Sequence, residues 1–106
     1  MVAKIKVKIT VVKKFDTKDL FRNQVHELSP DFHTSCPLLE EGDKFIVEED
    51  GKMPRDFCSW AWHDIHRDLT VQQWGGNSPL VKKAETVYTS CTDGLRPVIF
   101  QLERIE

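Results

Sequence analysis

The sequence predicts an α+β fold, with about four mainly antiparallel strands and one main helix packed on one face of the sheet. Three observations predict it. Residues 4–12 alternate, with Ile5, Val7, Ile9 and Val11 between Lys4, Lys6, Lys8 and Thr10, the period of a half-buried strand. A helical pattern runs from Pro54 to about Trp74. Asp93-Gly94 then separates two apolar runs, 86–91 and 97–105, a combination that signals a β-hairpin. Strands at both ends with one long helix between them fit a sheet covered on one side.

The elements follow in order. The lysines of the first strand form a row on the face opposite the apolar residues, either a solvated face or an anion-binding row. Asp16 to Phe21 make a short helical turn capped by Asp16 or Thr17. Residues 23–43 hold Pro30, Pro37 and Gly42 among many polar residues, and a loop this long in a compact domain is often functional. Phe45 to Glu48 form a short strand and Glu49-Asp50-Gly51-Lys52 a turn. Pro54 suits a first helical position. On a helical wheel Cys58, Ala61, Trp62, Ile65 and Leu69 share one arc, with Ser59, His63, His66, Arg67 and Thr70 largely opposite. Gly75-Gly76-Asn77 ends the helix. In the last strand Val98, Phe100 and Leu102 share a face, and Pro97 stands where a missing N–H is tolerated.

The 106 residues fit a single domain spanning 1–106. A formal net charge of -2 argues against a nucleic-acid partner, which asks for a basic excess. No apolar run approaches a membrane span, and the lysine-interleaved start does not read as a signal peptide. The expected location is the cytoplasm. Three cysteines, an odd and widely spaced set, do not read as a secreted disulfide framework. Trp60 lies off the apolar arc and suits a contact with a partner protein or a second copy.

The cysteines carry what chemistry the sequence offers. Cys91 has the strand parity of Val87 and should face the helix layer. Cys58, on the apolar arc, should face the sheet, and Cys36 closes the long loop. Three thiols converging in this way could hold a metal ion, zinc or iron, or an iron–sulfur cluster, with His33 or Asp93 as a further ligand and a fourth position left open otherwise. The other reading is that each packs as a small hydrophobe in an oligomeric interaction module. A third is a thiol-based enzyme with Cys91 or Cys58 as nucleophile, although no catalytic residue set stands out. Asp93 is expected to accept turn N–H groups. Arg96 is expected to point at the cysteines or at the loop ending in Pro37, where a cation would stabilise thiolates. His63 and His66 read as surface histidines, and Asp56, Asp64 and Asp68 as surface charges.

The motifs CP at 36–37, EGDKFIVEEDGKMP at 41–54, FCSWAW at 57–62 and CTDGLRPVIFQLERI at 91–105 resemble those of one family of small uncharacterised proteins of anaerobic bacteria and archaea. The resemblance covers nearly the whole chain, and the last two motifs are specific. It implies that Cys36, Cys58 and Cys91 each fall in a marked motif, with Trp60, Asp93, Gly94, Arg96 and Pro97 beside two of them. It brings no activity. Ser90 stands where the family often has a second cysteine, and His33 is not part of the pattern.

Overall fold

The structure, a computed structural model, describes residues 4–22, 24–25 and 28–105. The elements are β1 (Lys6–Lys14), α1 (Thr17–Phe21), β2 (Lys44–Val47), α2 (Ser59–Gln73), β3 (Thr86–Ser90) and β4 (Val98–Ile105). The strands form one sheet in the order β2-β1-β4-β3, and every neighbouring pair is antiparallel. The α+β arrangement expected from the sequence is therefore present, with α2 as the main helix.

The alternation in β1 does what its period requires. Val7, Ile9 and Val11 are fully buried, together with Val98, Phe100 and Leu102 of β4. Ala61, Ile65 and Leu69, spaced by one helical turn, face them from α2. Phe57 sits edge-on to Phe45 at 5.0 Å and tilted against Phe100 at 5.6 Å, closing the core at the end where α2 begins. On the outer face the lysine row pairs with carboxylates. Lys8 lies 3.4 Å from Glu103, and Lys6 lies 3.5 Å from Glu48. The hydrogen bond from Lys83, with the charges of Lys83 and Lys8, outweighs burial and holds the Glu103 carboxyl below its usual range. A bulge between Val11 and Lys13 leaves Val12 unpaired in the β1–β4 ladder, and Val12 is exposed.

One expectation is corrected. The helix does not begin at Pro54. Residues 54–57 form a turn closed by the Phe57 N–H on the Pro54 carbonyl, and Asp56 takes a left-handed φ of 66°, which no helix can include. Cys58, expected on the apolar arc, is instead the extended N-cap of α2. β3 and β4 do form the antiparallel hairpin expected from the sequence, with a connection one residue longer at each end. Residues 91–97 form a seven-residue loop between them, and Gly94 is not among the residues with positive φ, as a two-residue type I′ turn would require. The helix stop is as expected. Gly75 adopts φ 87°, and the N–H groups of Gly75 and Gly76 take up the Gln72 and Val71 carbonyls. Asp16 caps α1 in a capping box with Asp19.

Two buried glutamines were not expected in the core. The Gln72 amide donates to the carbonyls of Leu102 (2.9 Å) and Glu85 (2.8 Å). Gln73 donates to the Glu48 carbonyl at 3.0 Å. Together they fasten the C-terminal turn of α2 to both sides of the sheet. Gln72→Ala should strand two carbonyls and cost about 1–3 kcal/mol. Thr70→Ala, two residues earlier on the exposed face, should stay within about 0.5 kcal/mol. Urea midpoints at unchanged m-value check both.

Candidate functional site

Cys36, Cys58 and Cys91 line one cavity of about 110 Å³. Its floor is apolar, made by the buried Leu39, Val98 and Phe100. Leu38 and Trp60 stand at its rim, 66% and 63% exposed. Asp93 and Arg96 are the charged residues in its wall. The thiols are free and half-buried, and each packs against the core.

Each cysteine reaches the cavity from a different segment. Cys58 is brought there by the turn at 54–57. As N-cap its sulfur accepts the Ala61 N–H at 3.5 Å, at the end of the helix that carries partial positive charge. Cys91 follows the last residue of β3. Its own N–H donates to the Val98 carbonyl at 3.1 Å, and its sulfur accepts the Val98 N–H at 3.3 Å. Cys36 is held by the loop, which Leu39 anchors in the core at 1% exposure.

A clamp of polar contacts joins these segments. The Arg96 guanidinium donates to Asp93 at 2.9 Å and to the His33 carbonyl at 2.8 Å, and it lies 4.6 Å from the Phe32 ring centroid. Arg96 therefore reaches the loop that ends at Pro37, as expected. Asp93 also accepts the Leu95 and Arg96 N–H groups at 3.0 and 3.2 Å, the turn role expected of it. Burial alone would raise its carboxyl, but the Arg96 guanidinium and these amides hold it below the usual aspartate range. The Thr17 hydroxyl donates to the Leu95 carbonyl at 2.7 Å. The Thr17 N–H donates to the Thr34 carbonyl at 2.8 Å, and the Thr34 hydroxyl to Asp16 at 2.6 Å.

Asp64 was read as an ordinary surface charge, and the structure gives it a larger part. Its carboxylate accepts both the N–H and the hydroxyl of Thr92, at 2.7 and 2.9 Å. The Trp60 indole N–H donates to the same hydroxyl at 3.1 Å. The first turns of α2 are thereby tied to the residue after Cys91. The pairing spans 28 residues, and no local pattern announces it.

His33 is exposed and offers the site its backbone carbonyl; its ring is not part of the cavity wall. His63 and His66 lie on the exposed side of α2, with His66 edge-on to Trp62 at 5.5 Å. Among the described residues, no three His, Cys, Asp or Glu side chains are drawn together as a ready ligand set; the thiols share a cavity without closing on its centre. Burial pushes the Cys91 thiol up. The backbone donors of Asp93 and Val98 oppose this, and the carboxylates of Asp93 and Asp64 add to it. A protonated thiol is a poor nucleophile, which weighs against an enzyme acting through Cys91. No helix among the described residues is long and apolar enough to cross a membrane. The chain matches no protein-family model, and searches among curated proteins and solved structures gave no match.

Asp64→Ala should free the Thr92 amide. We expect faster hydrogen exchange there and a loss of about 1–2 kcal/mol, while exchange in β1 stays unchanged apart from the global shift. The Cys91 thiolate forms at higher pH in the folded chain than in the unfolded one. Folding stability therefore falls as pH rises through that range. Alkylation of Cys91 by iodoacetamide, followed by peptide mass mapping, should keep accelerating with pH after a free cysteine peptide has levelled off.

Proposed function

We propose that the chain binds one thiophilic metal ion, zinc or iron, or a small iron–sulfur cluster, through Cys36, Cys58 and Cys91. It would serve as an accessory or electron-transfer partner of another protein. The observation that carries this reading is the shared cavity, which cysteines from three separate segments line over an apolar floor. Two further features support it. The sulfurs of Cys58 and Cys91 each accept a backbone N–H, the kind of hydrogen bond that tunes thiolate ligands. The Arg96–Asp93 clamp holds the Cys36 loop against the Cys91 turn, so the donors are pre-positioned from both sides. An ion held by three thiolates keeps a position for an outside ligand. Asp93 spends its carboxylate on Arg96 and the turn, and the His33 ring is not in the cavity wall, so neither residue is counted in the ligand set.

Part of the same proposal is membership of the family whose motifs the sequence resembles, and location in the cytoplasm, where thiols stay reduced. The exposed Trp60 and Leu38 at the cavity rim favour a docking partner, a second copy or another protein, over the site. They also favour the second reading, an interaction module whose cysteines only pack.

The two separate by mutation. Cys58→Ser keeps an N-cap oxygen, a preferred cap, so the metal-free fold should be as stable as the parent. Protein purified without oxygen should contain about one metal or cluster per chain by elemental analysis and absorption. Cys36→Ser, Cys58→Ser and Cys91→Ser should each lose it entirely. Each single variant should forfeit the whole ligand-linked stabilisation, and the double variants should be little worse. Additive effects with no metal in the parent would retire the metal reading in favour of the interaction module.

A further inference from the structure

We propose that the free edge of β3 pairs with the same edge of a second copy of the chain, joining two sheets across a two-fold axis at Thr89. None of the residues involved lines the cysteine cavity, and the proposal does not depend on what the thiols bind.

β3 ends the sheet order β2-β1-β4-β3, so one of its edges has no strand beside it among the described residues. The parity of the β3–β4 ladder says which main-chain groups lie there. The Cys91 N–H donates to the Val98 carbonyl, and the Arg104 N–H to the Glu85 carbonyl. Both pairs share the parity of Val87 with Leu102 and of Thr89 with Phe100. Bonded and non-bonded pairs alternate in an antiparallel ladder, so these residues of β3 are the ones that bond to β4. The N–H and C=O groups of Thr86, Tyr88 and Ser90 therefore point away from it. Thr86 is buried, and the Thr92 N–H is taken by Asp64. The open stretch is Tyr88 to Ser90. Sheet edges are usually guarded by charge, proline or a bulge. The β3 sequence TVYTS has neither charge nor proline, and its register with β4 is unbroken. β2, at the other edge, is four residues long and carries Lys44.

A second copy suits this edge because the edge is its own complement, as a two-fold contact requires. With Thr89 opposite Thr89 of the second copy, Tyr88 meets Ser90 of that copy in a hydrogen-bonded pair, and Ser90 meets its Tyr88. Each open N–H of the stretch then finds an open C=O. The Thr89 side chains meet in a close non-bonded pair, a favourable combination, and the exposed Tyr88 rings become diagonal neighbours. The helix layer agrees. Asp64 bonds Thr92, and Gln72 bonds the Glu85 carbonyl. α2 therefore runs antiparallel to β3, and residues 67–68, halfway between these ties, stand level with Tyr88 and Thr89. Arg67 and Asp68 line a groove with Val71, Leu80 and Tyr88. Neither makes an ion pair among the described residues. An axis at Thr89 sets Arg67 of each copy toward Asp68 of the other, so opposite charges meet. The exposed Val71 and Leu80 lie beside the join and would be covered by it.

The test uses the reduced full chain, with sedimentation velocity over a concentration series and amide exchange by NMR. We expect a reversible monomer–dimer equilibrium. As dimer forms, the Tyr88 and Ser90 amides should exchange more slowly, while those of Val87 and Thr89, already bonded to β4, should not change relative to the rest of the sheet. Ser90→Pro removes one outward N–H and no ladder bond, a place where an edge strand accepts proline. It should weaken association by about 10-fold or more and keep the far-UV spectrum. Arg67→Glu and Asp68→Arg should each weaken association by about 3-fold or more, and the two together should restore it, whether or not the proline variant folds. A chain that stays monomeric throughout overturns the proposal. So does a dimer whose Tyr88 and Ser90 amides exchange as in the monomer, because the second copy then sits elsewhere, or a double charge variant that associates no better than the singles.

Discussion

The pairing of β1 with β4 at the centre of the sheet is the constraint on which everything else depends. It joins residues 6–14 to residues 98–105, and it continues one step further through the Phe15 N–H on the Pro97 carbonyl at 3.0 Å. That extra step sets the start of α1 beside the 91–97 loop, where Thr17 can reach the Leu95 carbonyl. The same strands present Val7, Ile9, Val11, Val98, Phe100 and Leu102 on one face, and α2 covers them. The cavity lies where this core runs out, beyond Phe100 and under the first turn of α2. Its position follows from the length of the strands and the point at which the helix begins.

Around that cavity the protein separates charge from sulfur. The Arg96 guanidinium, which could have faced the thiols, is turned to Asp93 and to the long loop. The carboxylates of Asp64 and Asp93 are occupied with holding the Cys91 turn. What remains directed at Cys58 and Cys91 is backbone N–H, a weaker and fixed source of positive potential.

Much of the fold was legible because its signals are periodic. The alternation of β1 and the Ile65–Leu69 spacing of α2 each reflect one buried face, and tertiary structure only completed them. The helix start was misread because Pro54 is a good first helical residue and Cys58 is an uncommon cap. A wheel drawn from Pro54 places Cys58 correctly toward the core for the wrong reason. The hairpin of β3 and β4 was legible from Asp93-Gly94 between two apolar runs, but the bonds of Asp93 to Arg96 and to the amides of 95 and 96, which shape its loop, were not. Gln72, Gln73 and Asp64 look polar and exposed in sequence. Their partners are backbone groups far along the chain, and no local pattern encodes such partners. That the three cysteines line one cavity agrees with the strand parity and the loop read from the sequence. Their hydrogen-bond partners, and the clamp that joins Arg96 to His33, were not legible.

The central place of β4 also orders events during synthesis. Among the described strands β1 is made before the others, yet its principal partner β4 is made after them. The short β2, the other strand beside it among the described residues, offers four residues of pairing. Until residues 98–105 have emerged, the inner faces of β1 and α2 have no sheet to close on, and the three thiols belong to unconnected pieces of chain. The core and the cavity therefore form together and late, after translation of β4. A nascent chain halted before it would display an open strand edge and unprotected cysteines, the features that holdase chaperones engage.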